Sequence, residues 1–301
     1  MIDRPVAAQP AVSALDPVER GILWLVAYAS VFRAPVRTAD VGPRLVGARA
    51  GETEVRRALR GQALRSFVVE EAGLLCLRSG AAPDWIAAST ARATVTAQLL
   101  ERHAGVLSFV RGLRGVRFAA LSGGCAHEAA EDGDIDVFVV TERGAVWRTL
   151  LVSTLVAKAR GWRRILCMNY LVDEDAQALP WRDFYGAFEL ISLKPLTGDA
   201  GFVELLSANR WVDPIFPNFL PSRIHGQNPG NQKQKAPGSA LLEAAARMIQ
   251  RPYLRYRLPE STGVELSDRV VRLHTTDHRT RLRALYRDAL QTIGMEAPPW
   301  I

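Results

Sequence analysis

Leu121-Ser122-Gly123-Gly124, then a spacer from Cys125 to Gly133, then Asp134-Ile135-Asp136-Val137-Phe138-Val139-Val140: this span joins two signals. The first is a glycine pair ending an apolar run, Arg117-Phe-Ala-Ala-Leu121. The second is two carboxylates that alternate with apolar residues at the start of another run. Alternation at period two predicts a strand. Asp134 and Asp136 are therefore expected on one strand face, with Ile135 and Val137 turned to the core. Glycine has no Cβ, so a phosphate can approach the backbone closely there, and Ser122 adds a hydroxyl.

Two carboxylates beside such a turn form a plausible site for Mg²⁺ and a polyphosphate. Magnesium takes hard oxygen ligands, usually one or two carboxylates plus substrate phosphates. Two ions together can activate an attacking oxygen and stabilise a leaving one. The bland alternative is a solvated Asp-Gly-Asp-Ile-Asp turn with some cation affinity and no chemistry.

The pattern resembles the signature of the DNA polymerase β nucleotidyltransferase superfamily. That signature is an apolar residue, Gly, Gly or Ser, a short spacer, then Asp, apolar, Asp or Glu, apolar. Here it reads Ser122-Gly123-Gly124 and Asp134-Ile135-Asp136-Val137, with Ser122 at the apolar position and Gly124 where many members carry serine. The likeness extends over about residues 90–220 and is greatest to bacterial members with an N-terminal winged-helix-like extension. It implies transfer of an NMP from an NTP to an acceptor, with release of pyrophosphate and with two Mg²⁺ ions. Asp134 and Asp136 would hold the metal, and Ser122, Gly123 and Gly124 the triphosphate. Arg148, in the first turn of the helix expected after the Asp strand, could reach a phosphate or be an ordinary surface arginine.

A third acidic residue usually completes such a site. Glu189, a carboxylate inside the apolar run Phe188-Glu189-Leu190, is the favoured third ligand or base, because an unpaired buried carboxylate is costly. A salt bridge with Lys194 or a nearby arginine would explain it equally well. Asp173, closing the strand expected over Arg164–Asp173, is the runner-up, and Asn169 lies within that strand. His127 sits in the spacer with no Cys or His at metal spacing, so zinc is not expected.

The 301 residues suffice for two or three domains, and an apolar content of 48% supports real cores. A formal charge of +7 favours polyanionic partners, but the excess is almost all arginine in an alanine- and arginine-rich chain. Three scattered cysteines, Cys76, Cys125 and Cys167, suit a reducing cytoplasm. The start, Met-Ile-Asp-Arg-Pro, lacks the character of a signal peptide. The longest apolar stretch, Gly21 to Phe32, is too short to span a bilayer, so no membrane partner is expected.

The expected fold class is α+β: a nucleotidyltransferase-fold domain over 83–220, with a small mixed sheet and flanking helices. A winged-helix-like domain over 14–80 precedes it, a flexible linker over 221–240 follows, and the chain ends in a helical region over 241–301. Asp16-Pro17 opens the first helix as N-cap and first residue. Glu52–Leu64, with Arg56, Arg57, Arg60 and the following Arg65, is the third helix. Two strands around Glu71-Ala-Gly73 make a hairpin. In DNA-binding winged helices the third helix enters the major groove, yet Glu52 and Glu54 head this one and would oppose phosphates.

Two rivals stand against the transferase reading. One is a non-catalytic, nucleotide-sensing DNA-binding regulator. The other is a sugar transferase holding a nucleotide-sugar through Asp-x-Asp; it expects the pair on a loop beyond a strand, whereas Val137–Val140 continues the strand. The acceptor, whether small molecule, RNA or protein, leaves no mark in the sequence.

Overall fold

The computed structural model describes residues 12–79, 81–130, 132–219, 240–258, 263–274 and 278–301. The chain is α+β, with a mixed sheet flanked by helices. It divides into two compact units, one of 1–89, 211–222 and 280–301, the other of 90–210 and 223–279. The stretch 241–301 is thus shared between the units. The segment expected as a linker lies almost wholly outside the described residues.

The first unit begins with α1 (Pro17–Val31). Its start is as expected: the Asp16 carboxylate accepts from the Val18 and Glu19 amides, and Glu19 reaches back to the Asp16 amide. One long helix was expected over 52–64, after β1 (Val36–Arg37) and α2 (Thr38–Val41). Two short ones occur instead, α3 (Glu52–Arg60) and α4 (Gln62–Arg65). Gly61 interrupts them in an extended conformation, packed so tightly on the Glu19 carboxylate that a Cβ has no room. The hairpin β2 (Val68–Glu71) and β3 (Leu74–Leu77) turns at Ala72 and Gly73, both at positive φ, and pairs with β1 in the order β1-β3-β2. Positive φ at both central positions matches the right-handed twist of the strands. Distant segments close this unit: Tyr286 donates to the Trp24 carbonyl at 2.8 Å, and Asn218 donates to the Gly42 and Ala50 carbonyls.

The second unit is built on a six-stranded sheet, ordered β7-β4-β5-β6-β9-β8. α5 (Ala82–Arg102) and α6 (Ala104–Arg111) lead into β4 (Val116–Leu121), and the short α7 (Gly123–Ala126) precedes β5 (Ile135–Thr141). Then come α8 (Val146–Ala159), β6 (Leu166–Asp173), α9 (Phe184–Ser192), β7 (Lys194–Pro195) and α10 (Asp199–Ser207). β5 and β6 are parallel, joined across α8, while β4 is antiparallel to β5.

Ile135, Val137 and Val139 project into a core that holds Val106, Trp147, Leu150 and Leu171. The alternate side chains, Asp136 and Phe138, take the other face, as period-two alternation requires.

The C-terminal region is not wholly helical. Besides α11 (Ala240–Arg257) and α12 (Arg279–Thr292) it carries a hairpin, β8 (Val264–Leu266) and β9 (Val270–Leu273). β9 pairs antiparallel with β6 and extends the sheet. Ser267 makes the turn, its hydroxyl accepting from the Val270 amide. No helix among the described residues is long and apolar enough to cross a membrane.

Candidate active site

The site lies where β4 ends and β5 begins. Leu121 is paired with Val137, and the Ser122 amide donates to the Asp136 carbonyl at 3.0 Å. The chain leaving β4 therefore turns directly over the Asp136 side chain. Gly123 makes that turn at φ 51°, and a Cβ there would overlap Asp136 Oδ2. Gly124 is under similar constraint, since a Cβ would lie 2.9 Å from the Ala129 carbonyl of the chain folding back over it. Both glycines thus have a reason within the protein itself: they let a carboxylate and a backbone strand come close.

Asp134, Asp136 and Cys167 converge, each offering an atom within 4.8 Å of the other two. Cys167 is the register partner of Asp136 on the parallel strand. Past that pair β6 carries one extra residue before Tyr170 meets Phe138. Such a bulge re-aims side chains, and the successive residues Asn169 and Tyr170 both line the same cavity. The Asn169 amide donates to Asp136 Oδ1, and the Cys167 thiol donates to Asn169 Oδ1 at 2.7 Å.

Burial, reinforced by the Asp134 charge, pushes the Asp136 carboxyl up to about 6. Burial likewise raises Asp134. The Cys167 thiol is pushed up to about 12, first by burial and then by the two aspartates, so it stays neutral. Two carboxylates, the hard oxygen donors that a divalent cation such as Mg²⁺ takes, stand here beside a thiol and an amide. A cation would also relieve the cost of ionising Asp136 beside Asp134.

The other expected residues separate. Glu189, on α9, lines the cavity but does not join the Asp134–Asp136 cluster; its Oε1 lies 3.0 Å from His127 Nε2. Burial pushes Glu189 up, but His127 and then His274 outweigh it and leave the carboxyl below its ordinary value. The His127 ring stacks on Phe188. Lys194 pairs with Glu128 at 2.7 Å rather than with Glu189.

Asp173 lies at the opposite end of the strand pair, in register with Thr141, where it accepts from the Gly144 and Asp175 amides. It cannot serve the Asp136 end. Arg148 is also remote. It stands in the first turn of α8, beyond the C-terminal end of β5, near Glu142, and does not line the cavity. Glu243 of α11 accepts from the Trp147 and Arg148 amides at 2.7 and 2.9 Å and so occupies that helix start itself.

The cavity measures about 380 Å³, within the range of small-molecule sites. One wall is Ser122, Gly123, Gly124, Asp136 and Asn169. A second is aromatic: Phe138, Tyr170 and Trp181 follow one another with ring centroids 5.1 and 5.4 Å apart. A third is basic and comes from the C-terminal segment. Arg272 lies with its Cζ 4.2 Å from the Trp181 ring centroid and Arg279 at 5.3 Å, and His274 and His278 line the same space. Sequence reasoning missed this wall. The alternation in Val264-Glu-Leu and Val270-Val-Arg-Leu273 around a Ser-Asp turn was the signal for the hairpin that carries it. No family model, no curated protein and no solved structure matches the chain.

Proposed function

We propose that the second unit is the catalytic part of a Mg²⁺-dependent nucleotidyltransferase, moving an NMP from an NTP to an acceptor hydroxyl with release of pyrophosphate. One observation carries the reading: the Asp136 carboxylate, with Asp134 beside it, is pressed against Gly123 at the rim of a cavity that also holds two arginines. Asp134 and Asp136 would hold the metal. Bound there, Mg²⁺ would supply positive charge against the phosphates and the developing pyrophosphate. Two carboxylates with phosphate oxygens serve one ion well, and no third carboxylate joins them among the described residues.

The remaining roles fall to the chain's own groups. The turn at Ser122 and Gly123 lines the phosphate path, and Arg272 and Arg279 supply charge-assisted contacts to phosphate oxygens. Tyr185, on the same cavity lining, offers aromatic surface to a base. Glu189, paired with His127 on the cavity lining, would accept the proton of an attacking hydroxyl.

The experiment is incubation with each labelled NTP and Mg²⁺, followed by mass analysis of every product, for wild type and Asp136→Asn. Transfer by the wild type alone supports the reading. Undiminished transfer by Asp136→Asn ends it.

A second reading has one observation in its favour. The β6 side chain that hydrogen-bonds Asp136 is the amide Asn169 rather than a carboxylate, which suits binding without turnover. The protein would then be a nucleotide-sensing regulator. Its α1–α4 and three-stranded sheet would act as a winged helix, with Arg56, Arg57 and Arg60 exposed on α3. Salt-dependent binding to duplex DNA with no nucleotide product would favour it.

A further inference from the structure

α11 has two unlike faces. Toward α8 it presents Glu243, Ala246 and Gln250, and the Gln250 amide donates to the Trp147 carbonyl at 2.8 Å. Away from α8 it exposes Leu241 (82%), Met248 (75%), Ile249 (64%) and Tyr256 (88%), with Leu242 and Tyr253 beside them. At 3.6 residues per turn these side chains fall in a single strip along the helix. Arg247, Arg251 and Arg255, spaced four apart, run along one edge of that strip. Arg247 is paired with Asp268 of the β8–β9 turn. The helix holds one acidic residue, Glu243, and the start of α8 engages it. The exposed strip and its edge therefore carry positive charge and no negative charge of their own.

An apolar strip of this size on a folded surface marks a contact, and its charge selects among occupants. A second copy laid antiparallel on the strip across a two-fold axis would bring one arginine row toward the other. No carboxylate of the helix is placed to meet either row. An anionic lipid surface suits both features. Acyl chains receive Leu241, Met248 and Ile249, tyrosines favour the headgroup level, and arginines meet headgroup phosphates.

We propose that α11 lies in the plane of an anionic membrane surface through its Leu241–Tyr256 strip and arginine edge. This is a peripheral contact, not a span, and it does not depend on the reaction proposed above.

The test is co-sedimentation of the full chain with phosphatidylcholine vesicles, with and without phosphatidylglycerol. Binding is expected only to the vesicles containing phosphatidylglycerol, and it should weaken as salt is raised. The double variant Met248→Asp/Ile249→Asp should lose it. Arg251→Glu/Arg255→Glu should lower it at least about tenfold, given the attraction of each arginine to an anionic surface. Unchanged melting temperatures would show that both variants fold, and sedimentation equilibrium without lipid should give a monomer. No binding to anionic vesicles at low salt overturns the proposal. So does a dimer that Met248→Asp/Ile249→Asp splits, because the strip would then be a subunit interface.

Discussion

Gly123 and Asp136 pack so closely that no side chain fits between them, and Gly123 holds φ at 51° while it does so. The left-handed conformation alone costs a non-glycine residue on the order of 1–3 kcal/mol, and a Cβ would also push the carboxylate aside. Gly123→Ala is expected to lower the melting temperature and to weaken Mg²⁺-dependent nucleotide binding together. Gly133→Ala, also at positive φ but with nothing near its Cβ position, should show only the conformational cost. Thermal unfolding and equilibrium dialysis of both variants check this, and equal behaviour of the two would deny Gly123 its role.

Asp136→Asn and Asp134→Asn keep the shape of the site and remove a hard, charged ligand. Loss of a supporting hydrogen-bond partner already costs about 10–100-fold at metal sites, so loss of a ligand itself should lower transfer by more than about 100-fold. Far-UV spectra should be unchanged. Asn169→Ala removes the donor to Asp136 and the acceptor of the Cys167 thiol but no charged ligand, and should fall within the smaller range, measured as Mg²⁺ affinity.

Metal-free stability should vary with pH in a sense set by Asp136. Its folded-state value, about 6, lies above the ordinary 3.8. The folded chain therefore keeps a proton that the unfolded chain has already lost, and stability falls as pH rises between about 4 and 6. Glu189, held below its ordinary 4.5, acts oppositely: its contribution is present above 4.5 and is lost as pH falls through its folded value. Comparing melting temperatures of wild type and Asp136→Asn from pH 4 to 7.5 isolates the first effect. Added Mg²⁺ should raise the wild-type melting temperature more at pH 7.5 than at pH 5. No difference between the two proteins would remove Asp136 as the cause.

Glu243 and the start of α8 form a cap made by another helix. Two backbone amides at the positive end of α8 donate to one carboxylate. Such caps are worth about 0.5–2 kcal/mol. Glu243→Ala should cost that much and Glu243→Gln about half, read from denaturant unfolding. Arg148→Ala should leave nucleotide binding unchanged, since Arg148 stands away from the cavity.

Local signals were enough for much of the chain. The Asp16-Pro17 start of α1, the β2–β3 turn, the strands on either side of the diglycine and the facing of Asp136 against Ile135 and Val137 all follow from caps, turn residues and period-two alternation within a few residues. The juxtaposition of Gly123 with Asp136 was implied by the same span, because antiparallel neighbours joined by a short spacer must return side by side. What a carboxylate such as Glu189 or Asp173 meets was open, because register and strand direction place it: the parallel β5–β6 pair carries Asp173 to the far end, and α9 sets Glu189 against His127. The basic wall of the cavity comes from Arg272, about a hundred residues beyond Asn169 and Tyr170 in the chain. Only long-range pairing of β9 with β6 puts it there, since no local energy term links residues so far apart until the sheet has formed.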